Sequence, residues 1–283
     1  MSSNLTVTAN CSDCAAGPGD SLTTTWTTFH RRWARLRPPL RPNAEVVRAI
    51  GEAIAGRAAR VLLLGVTPEL ADLGDETVAL DASPGMITHV WPGDTLRRLA
   101  VRGDWRAMPD LGGRFSAAIG DGSLCAIDLA DYAGLFAGLE RVLTRGARLA
   151  IRLYETPEIG ESLGDVRRAA LAGEIAGFHA LKWRLEMALA SETGDANVSL
   201  TRIHQAFERA FPDRFALGAA TGWGLETIAE IDDYAGSDGR LSFPTRTALL
   251  ASLPARLANP RFVASGTYEL AERCPILVAD ITP

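Results

Sequence analysis

The sequence predicts an α/β fold in which helices cover both faces of a mostly parallel, seven-stranded sheet that ends in an antiparallel C-terminal hairpin. Residues 61–64 form an apolar run without polar alternation, which is typical of a strand buried on both faces. Gly65 ends this run in a turn, and Pro68 suits the first turn of a helix. A second apolar run, 78–80, ends at Asp81. A strand, a glycine turn, a helix and a second strand that ends in an acid together form the plan of a mononucleotide-binding unit. In such a unit the helix N-terminus meets a polar ligand and the acid accepts hydrogen bonds from ribose hydroxyls.

The other elements follow from the same kind of pattern. Asp81 lies sixteen residues after Gly65, near the roughly 20 that such a unit uses. Asn43 is placed to cap a helix, and Ser83 begins another that contains Met86. The remaining strands are predicted at residues 96–101, 117–119 and 149–153, with the hairpin at 261–270 and 275–281.

Composition and charge restrict the classes of function. Hydrophobic residues make up 47% and charged residues 22% of the 283 residues, as in an ordinary globular protein. The net charge of −5 gives no footprint for nucleic acid, and no apolar run approaches the length of a membrane span. The N-terminus has neither the basic start nor the apolar core of a secretory signal, so we expect a cytoplasmic protein.

The chain divides into four parts by composition and periodicity. Residues 1–20 predict a disordered tail, and 21–156 predict N-terminal helices and the cofactor-binding part of the main domain. Residues 157–239 carry three helical stripes, at 175–189, 200–211 and 225–231, which predict a helical insertion after the fifth strand. Residues 240–283 complete the main domain.

The four cysteines do not predict a metal site. Cys11 and Cys14 form a C-x-x-C pair that precedes every predicted strand and has no second pair to complete a zinc site. Cys125 lies in an apolar run and Cys274 opens a predicted strand, so both are expected to be buried. No clustered histidine and carboxylate signature occurs, and we expect no metal.

Four blocks in register give the chain its resemblance to a known family. Residues 61–65 partly match a V-L-D-x-G-x-G-x-G motif, although Leu63 replaces the acid, and Thr67 and Glu69 replace the second and third glycines. Residues 80–86, 102–109 and 115–124 match the three blocks that follow. Over about residues 44–154 the sequence resembles the class I S-adenosylmethionine-dependent methyltransferases, whose fold is Rossmann-like.

The resemblance implies S-adenosylmethionine as cofactor and a set of residues that bind it. Asp81 would hold the ribose, Asp104 would meet the adenine amino group and Met86 would cover the adenine face. Asp121 lies at the carboxyl end of the fourth strand, where it would touch the cofactor's amino group or the acceptor. The full set of cofactor-binding candidates is Gly65, Thr67, Pro68, Asp81, Ala82, Ser83, Met86, Gly103, Asp104, Trp105, Asp121, Gly122 and Ser123.

Residues for the methyl acceptor are predicted less directly, and no catalytic residue is assigned. Trp33, Arg41 and Tyr154 are candidates, and Arg41 would pair with the carboxylate at the cofactor's methionine end. Helical spacing leaves core packing as the alternative for a wider set of aromatic and histidine residues that could face a substrate: Trp26, Phe29, His30, His179, Trp183, His204 and Trp223.

The sequence therefore predicts a methyltransferase that acts on a small molecule by in-line transfer, without nucleic-acid or membrane partners. A homodimer is one assembly open to it. Two alternatives remain: a nicotinamide-dependent oxidoreductase on a related sheet, and a non-catalytic descendant of the fold. The missing glycines at 67 and 69 disfavour the first, because a pyrophosphate needs close approach of the backbone, whereas S-adenosylmethionine has no phosphate.

Overall fold

The computed structural model describes residues 29–282, and it contains the predicted seven-stranded sheet. The predictions for the tail 1–20, for the Cys11–Cys14 pair and for Trp26 lie outside the described residues. The strand order is β3-β2-β1-β4-β5-β9-β8. The main sheet consists of β1 (Arg60–Leu64), β2 (Glu76–Asp81), β3 (Arg98–Arg102), β4 (Phe115–Asp121), β5 (Leu143–Arg152), β8 (Leu257–Val263) and β9 (Ile276–Ile281).

Nine α-helices surround this sheet or belong to the insertion. They are α1 (Ala44–Ala53), α2 (Pro84–His89), α3 (Tyr132–Val142), α4 (Leu163–Leu171), α5 (Phe178–Thr193), α6 (Leu200–Ala210), α7 (Arg214–Thr221), α8 (Leu225–Ile228) and α9 (Arg246–Ser252), counted within residues 29–282. Asn43 caps α1 as predicted, because its side chain accepts hydrogen bonds from the Glu45 and Val46 backbone amides. None of the helices in this range is both long enough and apolar enough to cross a bilayer.

The centre of the sheet confirms the interpretation of the unbroken apolar run. Residues 61–64 are at most 1% exposed, since helices cover both faces of β1. Leu62 lies opposite Val78 of β2 and Ala118 of β4, and both pairings are parallel. The chain order reverses between β1 and β4, so the carboxyl ends of these strands border the crevice where ligands bind in open α/β sheets.

The C-terminal hairpin is also confirmed, although its strands are shorter or shifted. Strand β9 runs antiparallel to both β5 and β8. The predicted strand 261–270 is wrong at its end, because β8 stops at Val263 and Leu270 has a left-handed φ of 66°. At the other edge, β3 begins at Arg98 rather than Leu96, because the Thr95 hydroxyl accepts the Arg97 and Arg98 amides in a turn.

The predicted helix after Gly65 is wrong. Pro68–Leu70 form a single 3₁₀ turn, closed by the hydrogen bond from the Ala71 amide to the Pro68 carbonyl. Only eleven residues separate β1 from β2, and Gly74 within them packs so closely that a Cβ would lie 2.7 Å from the Glu76 carbonyl oxygen. The connection is therefore too short for a helix followed by a return to the sheet.

The insertion after β5 is helical as predicted, with differences in its elements. The first stripe forms α5, which begins at Phe178 instead of residue 175, and the second forms α6. The third forms only α8 and the 3₁₀ helix Ala229–Tyr234, while α4 precedes the first predicted stripe and α7 lies between the second and the third. A two-stranded sheet, β6 (Asn197–Ser199) with β7 (Arg240–Ser242), joins the insertion across the predicted boundary at residue 239.

Two smaller predictions concern packing. The predicted N-terminal helix 21–36 is 3₁₀ where it is described, over Phe29–Arg35. Cys125 and Cys274 are buried, at 5% and 0% exposure, and neither forms a disulfide. Both therefore serve as small core residues, as predicted.

Candidate functional site

A cavity of about 330 Å³ lies at the carboxyl edge of the sheet, beside the point where the strand order reverses. Its walls come from the loops after β1, β2, β3 and β4, from the N-terminal segment and from the insertion. The strand-end residues that line it include Gly65, Val66, Thr67, Asp81, Ala82, Ser83, Met86, Asp104, Trp105, Asp121, Gly122 and Ser123. This position is the one in which α/β sheets bind ligands.

Gly65 and Asp81 form the polar floor of the cavity. Gly65 has a φ of 104°, which only glycine adopts without strain, and its amide donates to the Leu80 carbonyl at 2.9 Å. One oxygen of Asp81 accepts the Ser83 amide at 2.7 Å. Burial raises the pKa of Asp81 to about 6, and the Ser83 hydrogen bond only partly offsets that rise. Asp81 is thus a poorly solvated carboxylate that hydroxyl donors from a ligand would stabilise.

Asp104 stands at the end of β3 and is already bound to its neighbour. Its carboxylate accepts the Arg106 amide at 2.8 Å and pairs with the Arg106 guanidinium at 2.6 Å. Burial raises the pKa of Asp104, but the Arg106 contacts outweigh burial and hold it below the ordinary value. Trp105 between them donates its indole N–H to the Leu80 carbonyl at 2.6 Å, which fixes its ring beside Gly65.

Asp121 belongs to a buried ionic cluster beneath the cavity. Its carboxylate binds the guanidinium of Arg152, which also donates to the hydroxyls of Tyr154 at 3.1 Å and Tyr268 at 2.8 Å. Burial lowers the pKa of Arg152, but the Asp121 carboxylate more than compensates, so the guanidinium stays charged. Gly122 follows with a φ of 66° and packs against the Tyr154 ring.

The far half of the cavity is aromatic. Tyr154 and Trp183 meet edge to face with ring centroids 5.0 Å apart, and Tyr234 and Leu241 complete this wall from the insertion. Trp33 closes the opposite side from the N-terminal segment. Apolar walls of this kind exclude water from a bound ligand.

The N-terminal segment is held against the insertion by ion pairs. Arg32 is only 8% exposed and pairs with Asp233 at 2.7 Å, and Arg35 lies 3.8 Å from Glu230. Tyr154 reinforces this arrangement by donating its hydroxyl to the Pro39 carbonyl at 3.0 Å. The N-terminal segment and the insertion therefore cover the same cavity together.

Most of the sequence-predicted site residues meet at this cavity, and three do not. Pro68 lies in the 3₁₀ turn outside the lining. Gly103 also lies outside it, because it packs against Leu80, where a Cβ would approach to 2.8 Å. Arg41 turns instead to Glu69, with a 2.5 Å contact, and lies over the Trp33 ring. The predicted role of Arg41 at a ligand carboxylate is thus not supported, because Glu69 already supplies that carboxylate.

The cavity also contains residues that sequence reasoning missed or left open. Phe29, Trp33 and Trp183 line it, whereas His30, His179, His204 and Trp223 do not. Several charged residues of the lining carried no sequence signal as site residues: Arg106, Asp128, Asp131, Asp238 and Arg240. Arg106 meets Asp131 across the loops after β3 and β4, and Arg240 of β7 meets Asp128, and local sequence patterns do not reveal such contacts.

One three-residue group in the described part of the chain has metal-ligand geometry, namely His204, Glu208 and Asp232. The guanidinium of Arg214 occupies this group, at 2.6 Å from Glu208 and 2.5 Å from Asp232. These residues lie outside the cavity lining. The group is therefore an ion-pair network on the insertion.

Comparison with solved structures places this architecture among known folds. The CcbJ methyltransferase from Streptomyces caelestis aligns over 92% of this chain and 99% of its own, with a TM-score of 0.52 and 14% identity. The S-adenosylmethionine-dependent methyltransferase SibL aligns over 89% of this chain and 57% of its own, with a TM-score of 0.50 and 10% identity. The chain has the class I methyltransferase fold.

Another structure with this fold has a different description. A candidate zinc-dependent alcohol dehydrogenase from Rhodobacter sphaeroides aligns over 90% of this chain and 94% of its own, with a TM-score of 0.55 and 11% identity. No protein-family model matches the sequence, and no curated protein matches it either. At these identities the comparisons establish the methyltransferase fold and leave the activity to the site.

Proposed function

We propose that this chain is an S-adenosylmethionine-dependent methyltransferase that transfers a methyl group to a small molecule. The observation that carries the proposal is the joining of two unlike surfaces in one cavity. Asp81 and the Gly65 turn form a polar half at the strand ends, and Trp33, Tyr154 and Trp183 form an aromatic half. A donor bound to the first half would point its reactive end toward an acceptor in the second.

The residues of the polar half fit the donor. The Asp81 carboxylate has the acceptor oxygens that ribose hydroxyls need, and burial has removed water that would compete for them. Met86 is 7% exposed at the start of α2 and presents an apolar surface to an adenine ring. The Asp104 carboxylate lies at the neighbouring strand end, where it can accept from an exocyclic amine.

The aromatic half suits the chemistry of methyl transfer. S-adenosylmethionine supplies an activated methyl group and a good thioether leaving group. The protein's own contribution is then to align the acceptor and to exclude water, which the enclosed walls and the roof from two chain segments favour. No dedicated acid–base pair is required for an acceptor that is already nucleophilic.

The geometry favours this function over nicotinamide-dependent oxidation. A dinucleotide's pyrophosphate binds the backbone amides and dipole at a helix N-terminus. Here Gly65 leads only to the three-residue 3₁₀ turn Pro68–Leu70, and Pro68 lacks an amide N–H. The carboxylate of Glu69 lies in the same turn and pairs with Arg41, so this guanidinium is not free to bind a pyrophosphate.

The methyltransferase names of CcbJ and SibL support the proposal. The alcohol dehydrogenase description of the Rhodobacter sphaeroides structure supports the rival, so both donors belong in the test. Cytoplasmic location and a homodimer stay predictions, and the small-molecule acceptor is part of the proposal itself.

The test is calorimetric titration of the full chain with S-adenosylmethionine, S-adenosylhomocysteine and NAD. We expect both adenosyl ligands to bind and NAD not to bind. In the same titrations, Asp81→Asn should weaken binding of both adenosyl ligands. Glu76→Gln is its matched control and should leave binding unchanged, because Glu76 lies at the other end of β2 and pairs with Arg60. Binding of NAD alone would favour the oxidoreductase, and the absence of all binding would favour a non-catalytic protein.

A further inference from the structure

The charged residues that line the cavity are predominantly acidic. Six aspartates line it, namely Asp81, Asp104, Asp121, Asp128, Asp131 and Asp238, against two arginines, Arg106 and Arg240. Asp121 is already paired with Arg152 beneath the cavity, which leaves five aspartates against the two arginines. Three of the aspartates were not among the site residues predicted from the sequence. Asp128 and Asp131 lie in the region after β4, and Asp238 lies just before β7. We name these three the acidic rim.

Both lining arginines are already bound by carboxylates. Arg106 pairs with Asp104 at 2.6 Å and with Asp131 at 3.4 Å. Arg240 lies 3.4 Å from Asp128 and 3.5 Å from Asp195. Within residues 29–282, each cation of the lining therefore already has a carboxylate partner, and none is left to pair with an anionic acceptor. Burying a carboxylate or phosphate there would be unfavourable, because its charge would meet an excess of the same sign.

The walls between these charges are suited to a cation. Trp33, Tyr154, Trp183 and Tyr234 contribute aromatic rings to the acceptor half. Arg41, Arg152 and Lys182 already lie over one face of Trp33, Tyr154 and Tyr234, so among the described residues Trp183 is the ring of the four that carries no protein cation. The face of such a ring attracts an ammonium group, and the attraction increases when water is excluded. Acidic and aromatic groups thus favour the same kind of ligand, by independent physical effects.

We propose that the methyl acceptor is a small amine with an aromatic or apolar body, which enters the cavity as its ammonium ion. This inference rests on the proposed methyl transfer and specifies its substrate class. The ammonium ion first gives a proton to solvent water at the acidic rim, where Asp238 is exposed, and this frees the nitrogen lone pair. That pair forms the nitrogen–carbon bond while the carbon–sulfur bond breaks, and the electrons of the broken bond pass to the sulfur, which becomes a neutral thioether. The product is the N-methylammonium ion, in which nitrogen carries the positive charge that the sulfonium loses, while the released proton carries away the charge of the original ammonium ion.

The experiment uses two matched sets of probes that differ in charge. The sets are 2-phenylethylamine, 2-phenylethanol and phenylacetic acid, and tryptamine, tryptophol and indole-3-acetic acid. Each probe is titrated into the full chain saturated with S-adenosylhomocysteine. We expect each amine to bind about tenfold or more tightly than its alcohol, with the acid weakest, and the advantage to shrink as salt is raised. Labelled methyl transfer to the amines is measured in parallel with S-adenosylmethionine.

Two variants separate the acidic rim from net charge. Asp128→Asn with Asp238→Asn removes two carboxylates from the rim and should weaken amine binding about tenfold. Glu52→Gln with Glu226→Gln removes two exposed carboxylates outside the lining and should leave amine binding unchanged. Circular dichroism and retained binding of S-adenosylhomocysteine verify that both variants are folded.

The outcomes distinguish this inference from the proposed function. If the unaltered chain does not bind S-adenosylhomocysteine, the methyltransferase proposal itself is overturned. If that ligand binds, the amine proposal is overturned by alcohols or acids that bind as well as the amines, by no probe binding at all, or by equal effects of the two double variants.

Discussion

Asp121 and Arg152 form a buried ion pair beneath the cavity, with side chains 2% and 0% exposed. The guanidinium also donates to Tyr154 and Tyr268, so it connects a strand-end acid to an aromatic wall residue. Arg152→Met should lower the free energy of unfolding by about 3–5 kcal/mol, because it leaves the Asp121 charge buried without a partner. Urea denaturation measures this change.

The double variant tests the cause of that loss. Asp121→Leu with Arg152→Met removes both charges, and it should recover much of the stability lost by Arg152→Met alone. If Arg152→Met is as stable as the unaltered chain, the ion pair contributes nothing to the fold. Equal losses in the single and double variants would instead assign the effect to the two tyrosine contacts.

Gly122 should be essential to the shape of the acceptor half. A Cβ at Gly122 would lie 2.5 Å from Cε2 of Tyr154, so Gly122→Ala must displace that ring. Gly56 has a similar φ of 75° with nothing within 4 Å, and Gly56→Ala should lose only the conformational term of about 1–2 kcal/mol. We expect Gly122→Ala to lose more stability and to reduce acceptor binding, measured by urea denaturation and calorimetry. Equal effects of the two alanines would contradict the packing argument.

Asp81 should make binding of S-adenosylhomocysteine dependent on pH. Its pKa of about 6 in the free protein means that lowering the pH through 6 protonates the carboxylate that ribose hydroxyls require. Affinity should therefore fall below pH 6, by up to about tenfold per pH unit, with proton release on binding. Calorimetry between pH 5 and 8 measures both, and circular dichroism verifies folding at each pH. In Asp81→Asn, affinity should be lower at pH 8 by about 1.5–3 kcal/mol and independent of pH in this range.

The raised pKa of Asp81 also affects the stability of the fold. Raising the pH strengthens ligand binding, but it lowers the free energy of unfolding of the ligand-free protein. A carboxyl whose folded pKa is raised from 3.8 to about 6 stabilises the fold when protonated, and this contribution is lost as the pH rises through 6. The free Asp81→Asn protein should therefore be more stable than the unaltered chain at pH 8. A lower melting temperature for the variant at pH 8 would contradict the raised pKa.

Asp104 should recognise the adenine amine while also holding its own loop. Asp104→Ala should weaken S-adenosylhomocysteine binding and reduce discrimination against an analogue that lacks the exocyclic amine. Because Asp104 also binds Arg106, Arg106→Met is the matched control, since it removes the ion pair and keeps the carboxylate. Calorimetry with both ligands measures the discrimination. Unchanged discrimination in Asp104→Ala would remove this residue from the adenine site.

The parts of the site predicted from sequence are those that local patterns determine. A buried strand that ends in Gly65, and a second that ends in Asp81, place those residues at the same sheet edge whatever the rest of the chain does. Ser83 and Asn43 were predictable as caps for the same reason, since each acts within three residues. The seven-stranded sheet followed from these short-range signals.

The parts that were not predicted depend on distant contacts. Arg41 is neutralised by Glu69, which lies 28 residues away in the sequence. The one sequence signal of this contact was Glu69 itself, a charged residue at a position where the family motif has glycine. Arg240 reaches Asp128 across more than one hundred residues of sequence, so the acidic rim exists only in the folded chain. The 3₁₀ turn at Pro68 follows from the length of the connection, which hydrophobic periodicity does not report.

The insertion should be separable from donor binding. Thr156 pairs with Thr245, and the Thr156 amide donates to the Pro244 carbonyl at 3.1 Å, so the chain on either side of the insertion and β7 meets. Replacing residues 157–244 by a short Gly/Ser linker should preserve S-adenosylhomocysteine binding, because the strand-end residues of the polar half all precede Tyr154. It should abolish methyl transfer, because the acceptor half loses Trp183 and Tyr234 and opens to water.

Removing the insertion also exposes the buried residues that pack against its apolar core, namely Cys125, Tyr154, Leu270 and Cys274, so a point variant accompanies the deletion. Trp183→Ala in the full chain should keep S-adenosylhomocysteine affinity within about threefold and lower turnover of the amine acceptor at least about tenfold, since the ring packs against Tyr154 and Phe243. If the insertion serves only for dimerisation, the deletion would change the mass measured by light scattering and preserve turnover per folded site. Undiminished turnover in both variants would overturn the assignment of the acceptor to this wall.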